Sequence, residues 1–136
     1  NGMEYFNSFG GNPVSCSIGI SVLEVIEKEK LQNNALIVGN YFLKKLKKLK
    51  NKNSKYISEV RGKGLFLGID IINNYDHLKP NKRLAKKLIN YMRDKGILLS
   101  TDGPYDNVIK IKPPMLFNKE NVDLVSHNLD TFFNKI

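Results

Sequence analysis

Ile57-Ser58-Glu59-Val60-Arg61-Gly62-Lys63-Gly64-Leu65-Phe66-Leu67-Gly68-Ile69-Asp70-Ile71-Ile72 is the stretch where the sequence changes period. On either side, apolar residues recur every three or four positions. Within it, Leu65, Leu67, Ile69 and Ile71 alternate with Phe66, Gly68, Asp70 and Ile72. Successive side chains of a strand point to opposite faces, so the run predicts a strand with one face turned to a core. Arg61-Gly62-Lys63-Gly64 interrupts the approach to it. Gly68 follows Gly64 by four residues, which is not the dinucleotide fingerprint, and no P-loop motif is present. These glycines predict a bend or a close backbone contact beside the strand.

Upstream, Leu31, Ala35, Val38, Phe42, Leu46 and Leu49 form a stripe that predicts a helix over residues 31–49. Lys44, Lys45, Lys47 and Lys48 flank it as a solvated face, and Asn51 to Lys55 reads as a mobile polar loop. An earlier helix is expected from Pro13 to Lys30, with Val14, Ile18, Val22, Val25 and Ile26 on one face. Cys16, Ser17, Gly19 and Ser21 narrow part of its surface, which predicts a largely buried helix approached closely by another element. Cys16 is expected to be a buried small hydrophobe.

Downstream, Asn73 to Pro80 reads as a loop, followed by a helix over residues 81–95 with Leu84, Leu88, Ile89 and Met92 inward and Gly96 as its stop. Ile97 to Ser100 predicts a short strand, Thr101-Asp102-Gly103-Pro104 a turn, and Val108 to Ile111 another short strand. Lys110 would point away from Ile109 and Ile111, either toward a site on the other face or to solvent from an edge strand. Asn118 to Ile136 predicts a last helix burying Val122, Val125, Leu129, Phe132 and Ile136. The order describes an α+β layered fold, with helices packed on a small sheet.

Composition excludes several functions. The 136 residues are 41% hydrophobic and 26% charged, which fits a compact globular unit. No apolar run reaches the roughly 18 residues of a membrane span, and no signal peptide is visible. The opening Asn1-Gly2-Met3-Glu4 is expected to belong to a piece of a longer protein. One cysteine excludes an internal disulfide, and His77 and His127 lack ligand spacing, so no metal site is expected. Cysteine usage and the lack of an Asn-x-Ser/Thr sequon point to an intracellular protein, cytoplasmic or mitochondrial. The net charge is +9, and 19 of the 22 basic residues are lysines. They are scattered and carry no interleaved aromatics, so neither a nucleic-acid nor a membrane partner is expected. A non-catalytic basic binding domain is the alternative that this charge keeps open.

Tyr5-Phe6-Asn7-Ser8-Phe9-Gly10-Gly11-Asn12-Pro13 combines a hydroxyl, a glycine pair and a helix start. Asn12 suits an N-cap and Pro13 the first helical position. Free N–H groups at a helix start attract anions. The stretch reads either as a phosphate-facing loop, with Ser8 as an extra donor, or as an ordinary capped turn, the commoner of the two.

Residues 3–16, Met3-Glu4-Tyr5-Phe6-Asn7-Ser8-Phe9-Gly10-Gly11-Asn12-Pro13-Val14-Ser15-Cys16, resemble the Phe-x-Thr-Phe-Gly-Gly-Asn-Pro segment of class III aminotransferases, fold-type-I pyridoxal-phosphate enzymes. Val60 to Gly68 resembles that family's Val-Arg-Gly-x-Gly-Leu-x-x-Gly strand entry. Leu98-Leu99-Ser100-x-Asp102-Gly103-Pro104 and Asn107 to Met115 resemble one subgroup, the ethanolamine-phosphate and phosphohydroxylysine phospho-lyases. The resemblance implies a cofactor-phosphate loop and linking helix over residues 1–30, and the C-terminal small domain of the enzyme over residues 31–136. It implies that Ser8, with Asn7 beside it, meets the phosphate of pyridoxal 5'-phosphate held by the neighbouring subunit of a homodimer. Ser8 stands where the family has threonine. Lys110 stands where an arginine commonly grips the substrate carboxylate, and a lysine lacks that two-pronged fork. The phospho-lyases resemble this chain in having lysine there. The resemblance therefore implies elimination of phosphate from an amino-alcohol phosphate such as phosphoethanolamine, with a transaminase like alanine–glyoxylate aminotransferase as the alternative. The lysine that carries the cofactor would lie upstream, so no catalytic residue is expected here. Lys63 matches the strand entry instead.

Overall fold

The computed structural model describes Gly2, residues 6–74 and residues 76–136, with the backbone alone for residues 76–78. Contacts divide the chain into two units, Asn1–Gln32 and Asn33–Ile136. The first carries helix α1 (Pro13–Lys28). Asn12 caps it, its side-chain oxygen accepting the Ser15 N–H at 2.9 Å, with Pro13 in the first turn. The helix stops before Lys30, whose φ of 53° leaves the right-handed helical region.

The apolar face of α1 is not buried. Val14 is 70% and Ile18 61% exposed, and Cys16 is a free, exposed thiol. This corrects the expectation of a largely buried helix. Helical spacing shows that one face is apolar, but burial needs a partner, and none of the described residues among 1–32 supplies one.

Helix α2 (Leu31–Lys52) leads into the second unit, which holds strands β1 (Ile57–Lys63), β2 (Phe66–Asn73) and β3 (Asp76–Pro80), helix α3 (Lys82–Asp94), strands β4 (Ser100–Asp102) and β5 (Val108–Ile111), and helix α4 (Lys119–Phe133). The sheet is antiparallel in the order β1-β2-β5-β4, with β3 also paired to β2. Phe42 and Leu46 of α2, Leu88 and Met92 of α3 and Val122 and Leu129 of α4 meet Ile57, Ile69, Ile71 and Ile109 of the sheet. All ten are fully buried. The helices cover one sheet face in a two-layer α+β fold.

The stretch around Gly64 is a hairpin, not an interrupted approach to one strand. Arg61 to Lys63 lie inside β1, opposite Gly68 to Phe66. Ser58 is an extra residue, since Ile57 faces Ile71 while Glu59 already faces Asp70. That bulge switches the strand's parity, so Ile57 and Val60 both point into the core despite their spacing. Gly39 of α2 passes against the turn: a Cβ there would collide with the Gly64 carbonyl, so only glycine allows the contact.

Several expected boundaries move. The polar Asn51–Lys55 segment is anchored: α2 continues to Lys52, and Asn53 is only 7% exposed. Its side chain donates to the Leu49 carbonyl at 3.0 Å, and its own carbonyl accepts the Tyr56 and Ile57 N–H groups. Residues 76–80 form a strand where a loop was expected, and the side chain of His77 lies outside the described residues. His127 is exposed. Ile136 is 49% exposed, with Phe133 taking the expected place in the core, because α4 ends three residues early.

Candidate functional site

The sheet face turned away from the helices carries the polar partners of the alternating pattern. Register aligns Arg61 of β1, Gly68 of β2, Lys110 of β5 and Ser100 of β4 across four neighbouring strands. The adjacent row runs Glu59, Asp70, Val108, Asp102. Gly68 adds no side chain between Arg61 and Lys110, which leaves an open cavity of about 520 Å³. Lys63, Phe66 and Asp102 complete its charged and aromatic rim.

Each cation in the two rows is held by a carboxylate. Arg61 donates to Asp70 at 2.7 Å and to Glu59 at 2.9 Å. The Lys110 Nζ lies 2.8 Å from Asp102 Oδ2, and the Gly103 N–H donates to Asp102 Oδ1, also at 2.8 Å. The ammonium, and after it the backbone donor, hold the Asp102 carboxyl below its usual 3.8. Beside them, the Lys112 ammonium sits 5.3 Å from the centre of the Phe66 ring.

Lys110 is therefore on the open face, as its alternation with Ile109 and Ile111 required. It is not on an edge, because β5 lies between β2 and β4. Thr101 and Asp102, expected in a turn, belong to β4, and the turn begins at Gly103 with φ 83°. Arg61 and Asp102 went unrecognised as site residues. The available signal was two opposite charges, Asp102 and Lys110, eight residues apart on either side of a Gly-Pro turn.

Asn7 and Ser8 belong to the first unit. The Asn7 side-chain oxygen accepts the Phe9 N–H at 3.1 Å, and its carbonyl accepts the Gly10 N–H at 3.3 Å. The carboxamide lies over Gly10, where a Cβ would come within 2.9 Å of Nδ2. Asn7 thus shapes the turn with its side chain. Ser8 is exposed, and among the described residues no hydrogen bond holds its hydroxyl. An uncommitted hydroxyl on a turn entering a capped helix is a donor set that fits a phosphate.

The family model for class-III aminotransferases matches residues 3–133. The chain belongs to the class-III aminotransferase family. That family depends in general on pyridoxal phosphate. The chain is 48% identical over 123 residues to a Drosophila melanogaster protein named alanine–glyoxylate aminotransferase 2-like, covering 90% of this chain and 25% of that one. It is 41% identical to the Caenorhabditis elegans ethanolamine-phosphate phospho-lyase homolog 1, covering 87% of this chain and 25% of that one. Among solved structures, a phospholyase from Arthrobacter in complex with phosphoethanolamine superposes with a TM-score of 0.90 at 39% identity. That superposition covers 97% of this chain and 31% of the other. The chain spans about a quarter of the length of the curated relatives it matches.

Proposed function

We infer that these residues form the C-terminal portion of a pyridoxal-phosphate phospho-lyase that eliminates phosphate from an amino-alcohol phosphate such as phosphoethanolamine. The observation that carries this reading is Lys110 at the cavity rim. Its ammonium is a compact point charge suited to a phosphate, and it lacks the planar fork that grips a carboxylate in two places. The likeness to a phospholyase with phosphoethanolamine bound supports it.

When bound, pyridoxal phosphate supplies an electron sink for the charge left as a proton leaves the substrate carbon. In this reading the chain's own residues bind and orient. Ser8 donates its hydroxyl to the cofactor phosphate in the neighbouring subunit of a homodimer, and the main-chain N–H groups around Asn7 and Ser8 share that phosphate. Lys110 draws the substrate's anionic group to the open sheet face. Elimination breaks the carbon–oxygen bond, and its electron pair leaves with the phosphate. Water then gives acetaldehyde and ammonia from the remaining two-carbon amine. The lysine that anchors the cofactor lies upstream of Asn1.

Assay of the full-length enzyme with phosphoethanolamine tests the reading: acetaldehyde and inorganic phosphate should appear together. The 48% identity to an alanine–glyoxylate aminotransferase 2-like protein favours a transaminase as the second reading. Amino transfer to a keto acid with no phosphate release would establish that alternative and end the first.

A further inference from the structure

The two glycines around Lys63 fix where it stands. Gly62 has φ 150° and Gly64 φ 55°, and a Cβ on Gly62 would collide with the Phe66 carbonyl, so β1 presses onto β2 at the head of the hairpin. Lys63 lies two residues beyond Arg61, on the same open face, opposite Phe66 in register. It lines the cavity with Arg61 and Lys110. Those two are held by carboxylates, and the Lys112 ammonium rests against the Phe66 ring. Lys63 is exposed, and among the described residues no carboxylate, carbonyl or ring holds its ammonium.

We propose that Lys63 is a further substrate-binding residue, which together with Lys110 takes the substrate's anionic group over Gly68. This rests on the reading of the open sheet face as the place of that group. Neighbouring strands lie about 4.8 Å apart, so β1 and β5 stand about 10 Å apart across β2. Gly68 leaves the space between them free of a side chain. Long lysine stems can close on an anion there from both sides, and a phosphate has acceptor oxygens enough for two ammonium groups. Arg61 and Lys110 share their charge with Asp70, Glu59 and Asp102, whose negative charge opposes an incoming anion. Lys63 brings no such neighbour. On this face Arg61, Lys63, Lys110 and Lys112 outnumber Glu59, Asp70 and Asp102 by one, and Lys63 is the uncompensated charge. The attraction for an anion entering the cavity therefore depends on it.

The test is calorimetric binding of inorganic phosphate to the full-length, cofactor-loaded enzyme at fixed ionic strength, together with KM and kcat for phosphoethanolamine. Wild type is compared with Lys63→Ala, Lys63→Arg and Lys110→Ala. Lys47→Ala removes an exposed lysine of α2 that lines no part of the cavity, and so controls for lost charge alone. Lys63→Ala should weaken phosphate about three- to fivefold, the scale of a solvent-exposed ion pair, and raise KM by the same factor with kcat kept. Lys63→Arg should restore both, and Lys47→Ala should change neither. Phosphate weakened no more by Lys63→Ala than by Lys47→Ala, with Lys110→Ala still weakening it, would overturn the role of Lys63 and leave the Lys110 reading intact. Affinity untouched by either Lys63→Ala or Lys110→Ala would remove both. A wild-type enzyme that releases no phosphate from phosphoethanolamine would end the proposed reaction, while the calorimetry still decides the role of Lys63.

Discussion

Replacing Gly39 by alanine should destabilise the second unit, although glycine-to-alanine changes inside a helix usually stabilise. Alanine gains about 1 kcal/mol of helix propensity over glycine. At residue 39 the added methyl overlaps the Gly64 carbonyl and lies 2.7 Å from Gly64 Cα. The obstacle is backbone in a hairpin turn, so no flexible side chain can swing clear. Gly64 itself has φ 55°, which limits how the turn can readjust. Overpacking of this kind costs about 1–3 kcal/mol, and a rigid obstacle places it near the upper end. The net loss is then about 1–2 kcal/mol, a fall in melting temperature of roughly 3–10 °C for a chain of this size. Gly19 of α1 supplies the control, because a Cβ there meets nothing within 4 Å. Thermal melting followed by circular dichroism should show Gly39→Ala below wild type and Gly19→Ala not below it. A Gly39→Ala protein that melts at or above wild type would refute the close approach of α2 to the turn. The same turn joins β1 to β2 at the cavity, so the variant should also disturb Arg61 and Phe66.

Three further outcomes are expected. Asn107→Ala should cost about 0.5–1.5 kcal/mol in urea titration, because the buried Asn107 side chain donates to the Ile71 carbonyl at 3.0 Å, a carbonyl that would then keep only the Asn81 N–H; an unchanged midpoint would count against it. Lys45, and then Tyr41, hold the Asp123 carboxyl below 3.8, while Asp123 raises Lys45 above 10.5. Stability that depends on Asp123 is therefore complete above pH 3.8 and lost as pH falls through the lowered folded value; the Lys45 part is complete below pH 10.5 and lost above it. The difference between wild type and Asp123→Asn should be flat between those limits, close below the lower one, and shrink with added salt. Ser8→Ala in the full-length enzyme should weaken pyridoxal phosphate about ten- to a hundredfold, the worth of one hydrogen bond to a charged group. Ser8→Thr should retain binding, and unaltered cofactor affinity in Ser8→Ala would remove that contact.

The helices and the central strand were legible in the sequence because each carries its own period. The stripe from Val38 to Leu49 and the alternation from Leu67 to Ile71 both ended in the core. Other features depend on residues distant in sequence. The hairpin partner of β2 was obscured because the bulge at Ser58 breaks the two-residue alternation. The order of Asn53 arises from hydrogen bonds at both ends of a turn that its polar composition made look loose. Cys16 and the apolar face of α1 mark the limit of periodicity, which identifies an apolar face but not what covers it.

For the candidate site, the sequence by itself determined the side of the sheet on which Lys110 stands, since alternation with two core isoleucines leaves no other face. Its family was likewise readable in motifs that keep their order from Phe6 to Met115. Only the tertiary structure decided the company Lys110 keeps. Strand register placed Gly68 beside it and Arg61 beyond, and moved Asp102 from a supposed turn into a strand next to it. Register depends on pairing between segments dozens of residues apart. A local pattern orients a side chain, but the hydrogen-bonded ladder chooses its neighbours.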